Sequence, residues 1–330
     1  MALVIVTGGA GFIGSNLVQE LNRIGEREIL VVDNLAPAPN LSGPKFLNLW
    51  GAEFADYMDK VEFRAALKAG DFDFVPVRAI LHQGACSNTL EDDGRYMMDN
   101  NFTYSKEILA FASRRRIPLV YASTAAVYGL SEKFSPVPEN ERPLNVYGYS
   151  KLAFDNFVRR RFAADAIEST VVGLRYFNVY GPREQHKGRM ASVIHHFTKQ
   201  LKETGNIRMF VGSGGFGDGE QRRDFVFVKD LCRINLFFAG LLPESPAEPV
   251  HGIVNAGTGE ASTFKAIAEA LMEVHGPGTI EYIPFPGDLM NRYQHFTEAD
   301  ISGLRAAGYA GAMTKIADGV KATFADASMK

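Results

Sequence analysis

The N-terminal segment constrains the fold of this chain more than any other. Residues 2–6, ALVIV, form a short continuous apolar run, typical of a strand buried on both faces of a parallel sheet. Four glycines follow within a few residues, and apolar side chains then recur at helical spacing up to Gly25. Because glycine loses the most freedom on folding, so many after a strand indicate a turn that requires them.

Strand-like and helix-like segments alternate through the first half of the chain. The segments EILVVDN, AILHQGA, PLVYASTAAVYG and ESTVVGLRYFNVYG each look like a buried strand. Helical patterns such as NNFTYSKEILAFASRR lie between them. This alternation predicts an α/β fold with a doubly wound parallel sheet of the Rossmann type.

The second half has shorter strands and more glycine and proline turns. Its segment RDFVFVKDL is apolar at alternate positions and predicts a strand that returns to the main sheet. We therefore expect two interleaved lobes, with a smaller C-terminal substrate domain. The dinucleotide-binding domain would comprise residues 1–177 plus 224–256, and the substrate domain residues 178–223 plus 257–330.

Charge and composition exclude several classes of protein. With 35 basic and 38 acidic residues the net charge is -3, which does not suggest a nucleic-acid or membrane-surface binder. No apolar run reaches the roughly 18 residues of a membrane span. Two cysteines fit a reducing cytoplasm. His186 and His195 lack metal-ligand spacing, so no metal site is expected.

The glycine turn predicts a dinucleotide site. Gly8, Gly11 and Gly14 form a G-x-x-G-x-x-G pattern between the strand and the helix, where backbone N–H groups can face a diphosphate. Asp33 closes the next strand about 20 residues later, where a carboxylate contacts a ribose hydroxyl. That carboxylate favours NAD over NADP, although Lys45 and Lys60 could reach back to a phosphate.

Tyr147 and Lys151 form a candidate catalytic pair in the segment NVYGYSKLAFDNF. They lie one helical turn apart, so they share one face of a helix. A lysine ammonium beside a phenol lowers the pKa of the tyrosine, which would make Tyr147 a general base. Upstream, Ser123 and Thr124 end a predicted strand, where a hydroxyl can hydrogen-bond a substrate oxygen.

The glycine turn, hydroxyl, tyrosine and lysine, in this order, resemble the extended short-chain dehydrogenase/reductase family, which includes nucleotide-sugar epimerases and dehydratases. Further blocks, above all YFNVYGPREQHKG and NRYQ, are similar to its ADP-heptose 6-epimerase branch over nearly the whole chain. The chain departs from that branch in longer loops at residues 36–44 and 214–221. Thr124 stands where the branch usually has serine, and either supplies a hydroxyl.

The resemblance implies an isomerase that oxidises C6 of ADP-heptose to a ketone and reduces it again on the opposite face. Tyr147 and the lysine of HKG, Lys187, would be the two acid/base groups, assisted by Lys151 and Thr124. The resemblance implies tightly bound NADP, against the NAD preference that Asp33 alone suggests. It also implies a cytoplasmic homo-oligomer, a pentamer, that supplies heptose for lipopolysaccharide.

The same resemblance assigns binding residues. The residues expected to line the cofactor are Gly8, Gly11, Phe12, Ile13, Gly14, Asp33, Asn34, Lys45, Lys60, Gln83, Gly84, Ala85, Cys86, Ser87, Asn100, Lys151, Val179 and Lys187. The residues expected to bind the nucleotide sugar are Asn178, Arg189, His196, Phe210, Val211, Gly212, Ser213, Arg223 and Tyr293. Arg189 stands where the branch commonly has a small hydroxyl residue.

Three other functions remain open from the sequence. A 4-epimerase on the same fold would turn its whole sugar ring and would not need Lys187. A 4,6-dehydratase needs an acid beside the strand-end hydroxyl, but Ala125 and Ala126 follow Thr124. A dinucleotide-sensing regulator that has lost catalysis usually lacks the tyrosine or the lysine, whereas this chain keeps both.

Overall fold

The computed structural model describes residues 2–35, 43–285 and 293–325. Most of the loop 36–44 and the first two residues of the NRYQ block lie outside the described residues. The strands are β1 (Leu3–Thr7), β2 (Ile29–Asp33), β3 (Asp56–Asp59), β4 (Val77–His82), β5 (Leu119–Thr124), β6 (Val171–Tyr176), β7 (Asn178–Tyr180), β8 (Asn206–Phe210), β9 (Arg222–Phe227), β10 (His251–Ala256), β11 (Ala261–Thr263) and β12 (Thr279–Ile283).

Helices connect these strands and cover the main sheet. They are α1 (Phe12–Arg23), α2 (Lys60–Ala69), α3 (Gly94–Met98), α4 (Tyr104–Arg115), α5 (Val146–Ala163), α6 (Val193–Thr204), α7 (Val228–Phe238), α8 (Phe264–His275), α9 (Ser302–Ala306) and α10 (Ile316–Ala325). A wider π-helical turn, Asp99–Thr103, joins α3 to α4, so α4 begins later than its sequence pattern indicates.

The main sheet has seven parallel strands in the order β10-β6-β5-β4-β1-β2-β3. Val4 and Val6 of β1 pack on one face in a core that includes α1 and α7. Ile5 packs on the other face with side chains of α2, α4 and α5. Residues of one strand thus alternate between two buried helix layers, which confirms the doubly wound α/β fold.

The five strands read from the sequence in the first half are all present, but the partner assigned to RDFVFVKDL is wrong. That segment contains β9, which pairs in parallel with β7 and antiparallel with β11 in a separate three-stranded sheet. The strand that returns to the main sheet is β10, which pairs with β6. Alternation predicts a strand without predicting its neighbour.

Asp224 explains why β9 belongs to the smaller sheet. Its fully buried carboxylate accepts hydrogen bonds from the backbone N–H groups of Thr258 (2.8 Å), Gly259 (2.9 Å) and Ala299 (3.0 Å). These bonds fasten β9 to C-terminal segments. A further pair, β8 with β12, completes the smaller lobe. In the described part of the chain, helices are too short or too polar to cross a membrane.

Candidate active site

A cavity of about 1110 Å³ opens where the strands of the main sheet end. Gly8 follows β1, Asp33 ends β2, Gln83 follows β4 and Thr124 ends β5, and all four line it. The carboxyl ends of parallel strands are where ligands bind in open α/β sheets. The volume exceeds that of a pocket for one drug-sized ligand.

The glycine turn fits a dinucleotide diphosphate. Gly8 has φ +67°, and a Cβ on Gly14 would lie 2.0 Å from the carbonyl oxygen of Gly8. Gly11 precedes α1 without a side-chain cap, and the first turn of α1 holds no acidic residue. The N–H groups at this helix start are therefore left to a ligand, and the positive end of the helix dipole favours an anion.

The end of β2 carries a carboxylate that a lysine already neutralises. Lys45 Nζ lies 2.7 Å from Asp33 Oδ1 and 2.6 Å from Asn34 Oδ1, and the other Asp33 oxygen accepts from the backbone N–H of Ala10 at 3.0 Å. Lys60 donates to Asn100 Oδ1 at 2.7 Å, and burial lowers the pKa of its ammonium. Lys45 therefore pairs with the carboxylate directly, and Lys60 is a second positive charge at this end of the cavity.

The candidate general base lies at the start of α5. Asn145 caps this helix by accepting from the Gly148 N–H at 2.8 Å, which places Tyr147 in the first turn. Burial raises the pKa of Tyr147, and the hydroxyl of Thr124 opposes that rise. Lys151 donates its ammonium to the carbonyl oxygen of Ala122 at 2.8 Å, and burial lowers its pKa to about 8.

This geometry corrects one electrostatic expectation. The sequence predicts that Lys151 lowers the pKa of Tyr147, but among the chain's own groups burial dominates and the pKa moves upward. The reason is that the Lys151 ammonium is engaged by Ala122, and desolvation favours the neutral phenol. The shared helix face of the two side chains is as expected.

Lys187 reaches the same cavity from a different element. It belongs to the short helical segment Gln185–Met190, and its Nζ lies 5.3 Å from the centre of the Phe12 ring. Burial lowers the pKa of Lys187, and the nearby carboxylate of Glu184 opposes this shift. A lowered pKa makes the neutral amine accessible, which general base catalysis requires.

A cation and an aromatic cluster line the far part of the cavity. Arg223 on β9 is 8% exposed, and its guanidinium lies 4.9 Å from the centre of the Tyr293 ring. The ring of Phe210 stacks on Phe285 at 4.4 Å, and both rings contact that of Tyr293. Guanidinium groups bind phosphate and aromatic faces stack on planar groups, so this part suits a nucleotide diphosphate.

The cavity brings together most residues assigned from the sequence. All proposed catalytic and cofactor residues line it, as do the five substrate residues Asn178, Arg189, Phe210, Arg223 and Tyr293. The other four, His196, Val211, Gly212 and Ser213, do not. His196 lies on α6, and the last three lie in a turn where Ser213 Oγ is 3.0 Å from His295 Nδ1 and the Gly212 N–H donates to Asp218.

Asn48, Glu184 and His186 hold parts of the site in place and were missed by the sequence reasoning. All three are buried polar side chains. Asn48 and His186 hydrogen-bond each other across the fold, and Glu184 accepts from Ser192 within its own segment. A lone Asn in the segment KFLNL gives no sequence signal, because its partner is far away in the chain. Among the residues that the structure describes, no three His, Cys, Asp or Glu side chains form a metal-binding group.

The model of the NAD dependent epimerase/dehydratase family matches residues 4–257. The chain is 56% identical to an ADP-L-glycero-D-manno-heptose-6-epimerase of Alkalilimnicola ehrlichii, over 97% of this chain and 95% of that protein.

Solved structures show the same architecture. The crystal structure of Helicobacter pylori ADP-L-glycero-D-manno-heptose-6-epimerase is similar with a TM-score of 0.82 and 28% identity, over 98% of this chain and 95% of that chain. Thermotoga maritima UDP-glucose 4-epimerase is similar with a TM-score of 0.73 and 27% identity, over 98% and 97% of the two chains.

Proposed function

The chain belongs to the NAD dependent epimerase/dehydratase family, and we propose that it interconverts ADP-D-glycero-D-manno-heptose and ADP-L-glycero-D-manno-heptose. The observation that carries the proposal is that two proton-transfer groups, Tyr147 and Lys187, reach one cavity from different elements. When only the exocyclic C6 end of the sugar rotates, its oxygen moves away from the first acid/base group, so proton transfer in the second orientation needs another group. The 56% identity to a heptose epimerase supports the substrate class.

Tyr147, assisted by the Thr124 hydroxyl, takes the proton from the C6 hydroxyl of one epimer. A bound nicotinamide dinucleotide supplies the acceptor and donor of the hydride, so no electrons are consumed overall. Because C6 lies outside the sugar ring, only the end of the heptose must rotate before reduction on the other face. Lys187 then gives a proton to the C6 oxygen as the carbon is reduced, which leaves Tyr147 protonated and Lys187 neutral until proton exchange with solvent restores both. Lys151 keeps a positive charge on the helix face that it shares with Tyr147.

We propose NADP as the cofactor, with NAD as the alternative. Lys45 neutralises Asp33, and Lys60 reaches the same end of the cavity, so a 2′-phosphate would meet two ammonium groups. An isolated carboxylate would repel that phosphate.

We also propose the remaining assignments made from the sequence and its resemblance. The dinucleotide-binding domain comprises residues 1–177 plus 224–256 and the substrate domain residues 178–223 plus 257–330, except that β9 (Arg222–Phe227) pairs with β7 and β11 and so belongs with the smaller lobe. The enzyme acts in the cytoplasm as a homo-oligomer, a pentamer, and supplies heptose for lipopolysaccharide. Mass measurement under native conditions tests the oligomeric state.

Lys187 is the residue whose loss separates the two-base mechanism from its alternatives. Purified protein is expected to convert ADP-D-glycero-D-manno-heptose to the L-glycero epimer without added cofactor. Lys187→Ala should lower this conversion by a factor of about 100 or more and retain the bound dinucleotide, because the variant loses a proton-transfer group while the glycine turn, Lys45 and Lys60 stay intact. Chromatographic separation of the two epimers and assay of released dinucleotide measure both effects.

Lys199→Ala is the matched control, because Lys199 lies exposed on α6 and pairs only weakly with Glu203. Full conversion by Lys187→Ala would exclude the two-base mechanism. A wild-type protein that leaves both heptose epimers unchanged but epimerises a UDP-hexose at C4 would replace the proposed function with the 4-epimerase alternative.

A further inference from the structure

A short 3-10 helix, Lys45–Leu49, lies between two parts of the site that are far apart in sequence. Its first residue, Lys45, pairs with Asp33 at the end of β2. One turn later, Asn48 points into the protein and is 1% exposed. Asn48 does not line the cavity, so its hydrogen bonds hold other residues in position.

The Asn48 amide uses all of its hydrogen-bonding groups. Its Nδ2 donates to the carbonyl oxygen of Ala10 in the glycine turn at 2.9 Å and to His186 Nδ1 at 2.9 Å. Its Oδ1 accepts from Gln185 Nε2 at 3.2 Å. One side chain thus joins the glycine turn to the two residues immediately before Lys187.

His186 is suited to remain a neutral partner in this contact. Its side chain is buried, and burial together with the positive charges of Lys187 and Lys45 lowers its pKa to about 4. An uncharged imidazole whose Nδ1 accepts from Asn48 carries its proton on Nε2. Loss of Asn48 would leave that buried acceptor without its donor.

Hydrogen bonds hold the Lys187 segment in place on both sides of His186. Asn16 on α1 donates to the carbonyl oxygen of Pro182 at 2.9 Å, and Glu184 accepts from the Ser192 hydroxyl at 2.7 Å. Directly after Lys187, Gly188 takes φ +53°, which turns the chain away. The Lys187 backbone is therefore set by its neighbours, and its ammonium has no ion-pair partner within 4 Å among the described residues.

We propose that Asn48 and His186 are positioning residues for Lys187, which place its amine on the face of the substrate opposite Tyr147. This inference rests on the proposed function, in which Lys187 is the second acid/base group. The contact with Ala10 places the amine relative to the turn that holds the dinucleotide. The short helix therefore links the two ends of the cofactor site. The Lys45–Asp33 pair lies at one end, and Lys187, which transfers the proton, lies at the other end.

Asymmetry between the two epimers distinguishes positioning from general structural support. In the two-base mechanism Tyr147 deprotonates one epimer and Lys187 deprotonates the other. Asn48→Ala is therefore expected to slow oxidation of one epimer by about 10- to 100-fold and leave oxidation of the other nearly unchanged. The absorbance of the reduced nicotinamide, followed after rapid mixing with each pure epimer, measures the two rates separately.

A second pair of variants keeps the test decisive if Asn48→Ala folds poorly. His186→Phe removes the acceptor and keeps a ring, whereas His186→Asn keeps an acceptor near the position of Nδ1. The Phe variant should show the one-sided loss, with kcat lowered more than KM is raised, and the Asn variant should recover most of the rate. Gln19→Ala is the matched control, because it removes another amide bond to this region, at Trp50, without a contact to His186.

Equal slowing with both epimers, or full rates in both Asn48→Ala and His186→Phe, would overturn the inference. These results differ from failure of the proposed function itself. In that case the wild-type enzyme would oxidise neither heptose epimer.

Discussion

At the scale of single residues, His82 connects the end of β1, directly before the glycine turn, to helix α4. Its ring is 2% exposed, with Nδ1 2.6 Å from Thr7 Oγ1 and Nε2 3.0 Å from Ser105 Oγ. The Thr7 hydroxyl also accepts from the Gly84 N–H at 3.0 Å. Burial and the charge of Lys151 lower the pKa of His82 to about 3, so the ring is neutral in the folded protein.

This neutral histidine predicts acid sensitivity of the fold. In the unfolded chain a histidine binds a proton below a pH of about 6.5, whereas folded His82 does not until about 3. The unfolded state therefore binds more protons, and stability falls as the pH falls from about 7 to about 5. Replacing the histidine should reduce the loss of unfolding free energy between pH 7 and pH 5 by about 2 kcal/mol.

His82→Gln, unfolded in urea at both pH values, measures the effect. The variant is expected to be less stable than the wild type near neutral pH, since the hydroxyl contacts change, but less sensitive to acid. Equal pH dependence in the two proteins would show that His82 does not carry this proton linkage.

At the scale of elements, the unit β1–turn–α1 depends on close backbone approach. A Cβ on Gly14 would lie 2.0 Å from the oxygen of Gly8 and 2.9 Å from the Cα of Gly9, and both are backbone atoms. Gly14→Ala must therefore push α1 away from the turn. We expect a loss of about 3 kcal/mol or more in unfolding free energy and loss of bound dinucleotide.

Urea unfolding and assay of released dinucleotide test this prediction. Gly252→Ala on β10 is the matched control, because a Cβ there would meet no atom within 4 Å. If Gly14→Ala kept wild-type stability and dinucleotide content, the close approach would not be needed for either.

The helix α5, which carries Tyr147 and Lys151, is held in place by hydrogen bonds and an ion pair to two strands. Asp155, one turn after Lys151, accepts from the Tyr121 and Ser123 hydroxyls of β5 at 3.0 and 2.9 Å. It also pairs with the fully buried Arg175 of β6 at 2.9 Å. Two neighbouring strands thus set the register of α5 against the end of β5, where Thr124 lies.

At the scale of the whole molecule, dinucleotide binding should stabilise the fold by mass action. A ligand that binds only the folded state at about 100 times its Kd adds about 2.7 kcal/mol. We expect NADP to raise the Tm of protein stripped of its dinucleotide. Lys45→Ala should reduce the increase with NADP much more than with NAD, because Asp33 is then left to repel the 2′-phosphate.

Differential scanning calorimetry of stripped protein with each dinucleotide measures the four shifts. Lys199→Ala serves again as the surface control. An equal reduction for NADP and NAD in Lys45→Ala would show that Lys45 does not select for the phosphate.

By itself, the sequence determined the features that depend on local spacing. These are the strand–turn–helix start, the strands β1, β2, β4, β5 and β6, and the shared helix face of Tyr147 and Lys151. The short, polar strand β3 was not predicted. Backbone sterics and side-chain periodicity act over a few residues, so they can be read from the chain.

Only the tertiary structure decided the features that depend on distant partners. The neighbour of β9 follows from the hydrogen bonds of Asp224, and the support of Lys187 follows from Asn48 and His186, which are 138 residues apart. The upward shift in the pKa of Tyr147 follows from burial. Contact and desolvation arise when remote segments pack together, and no local pattern records them.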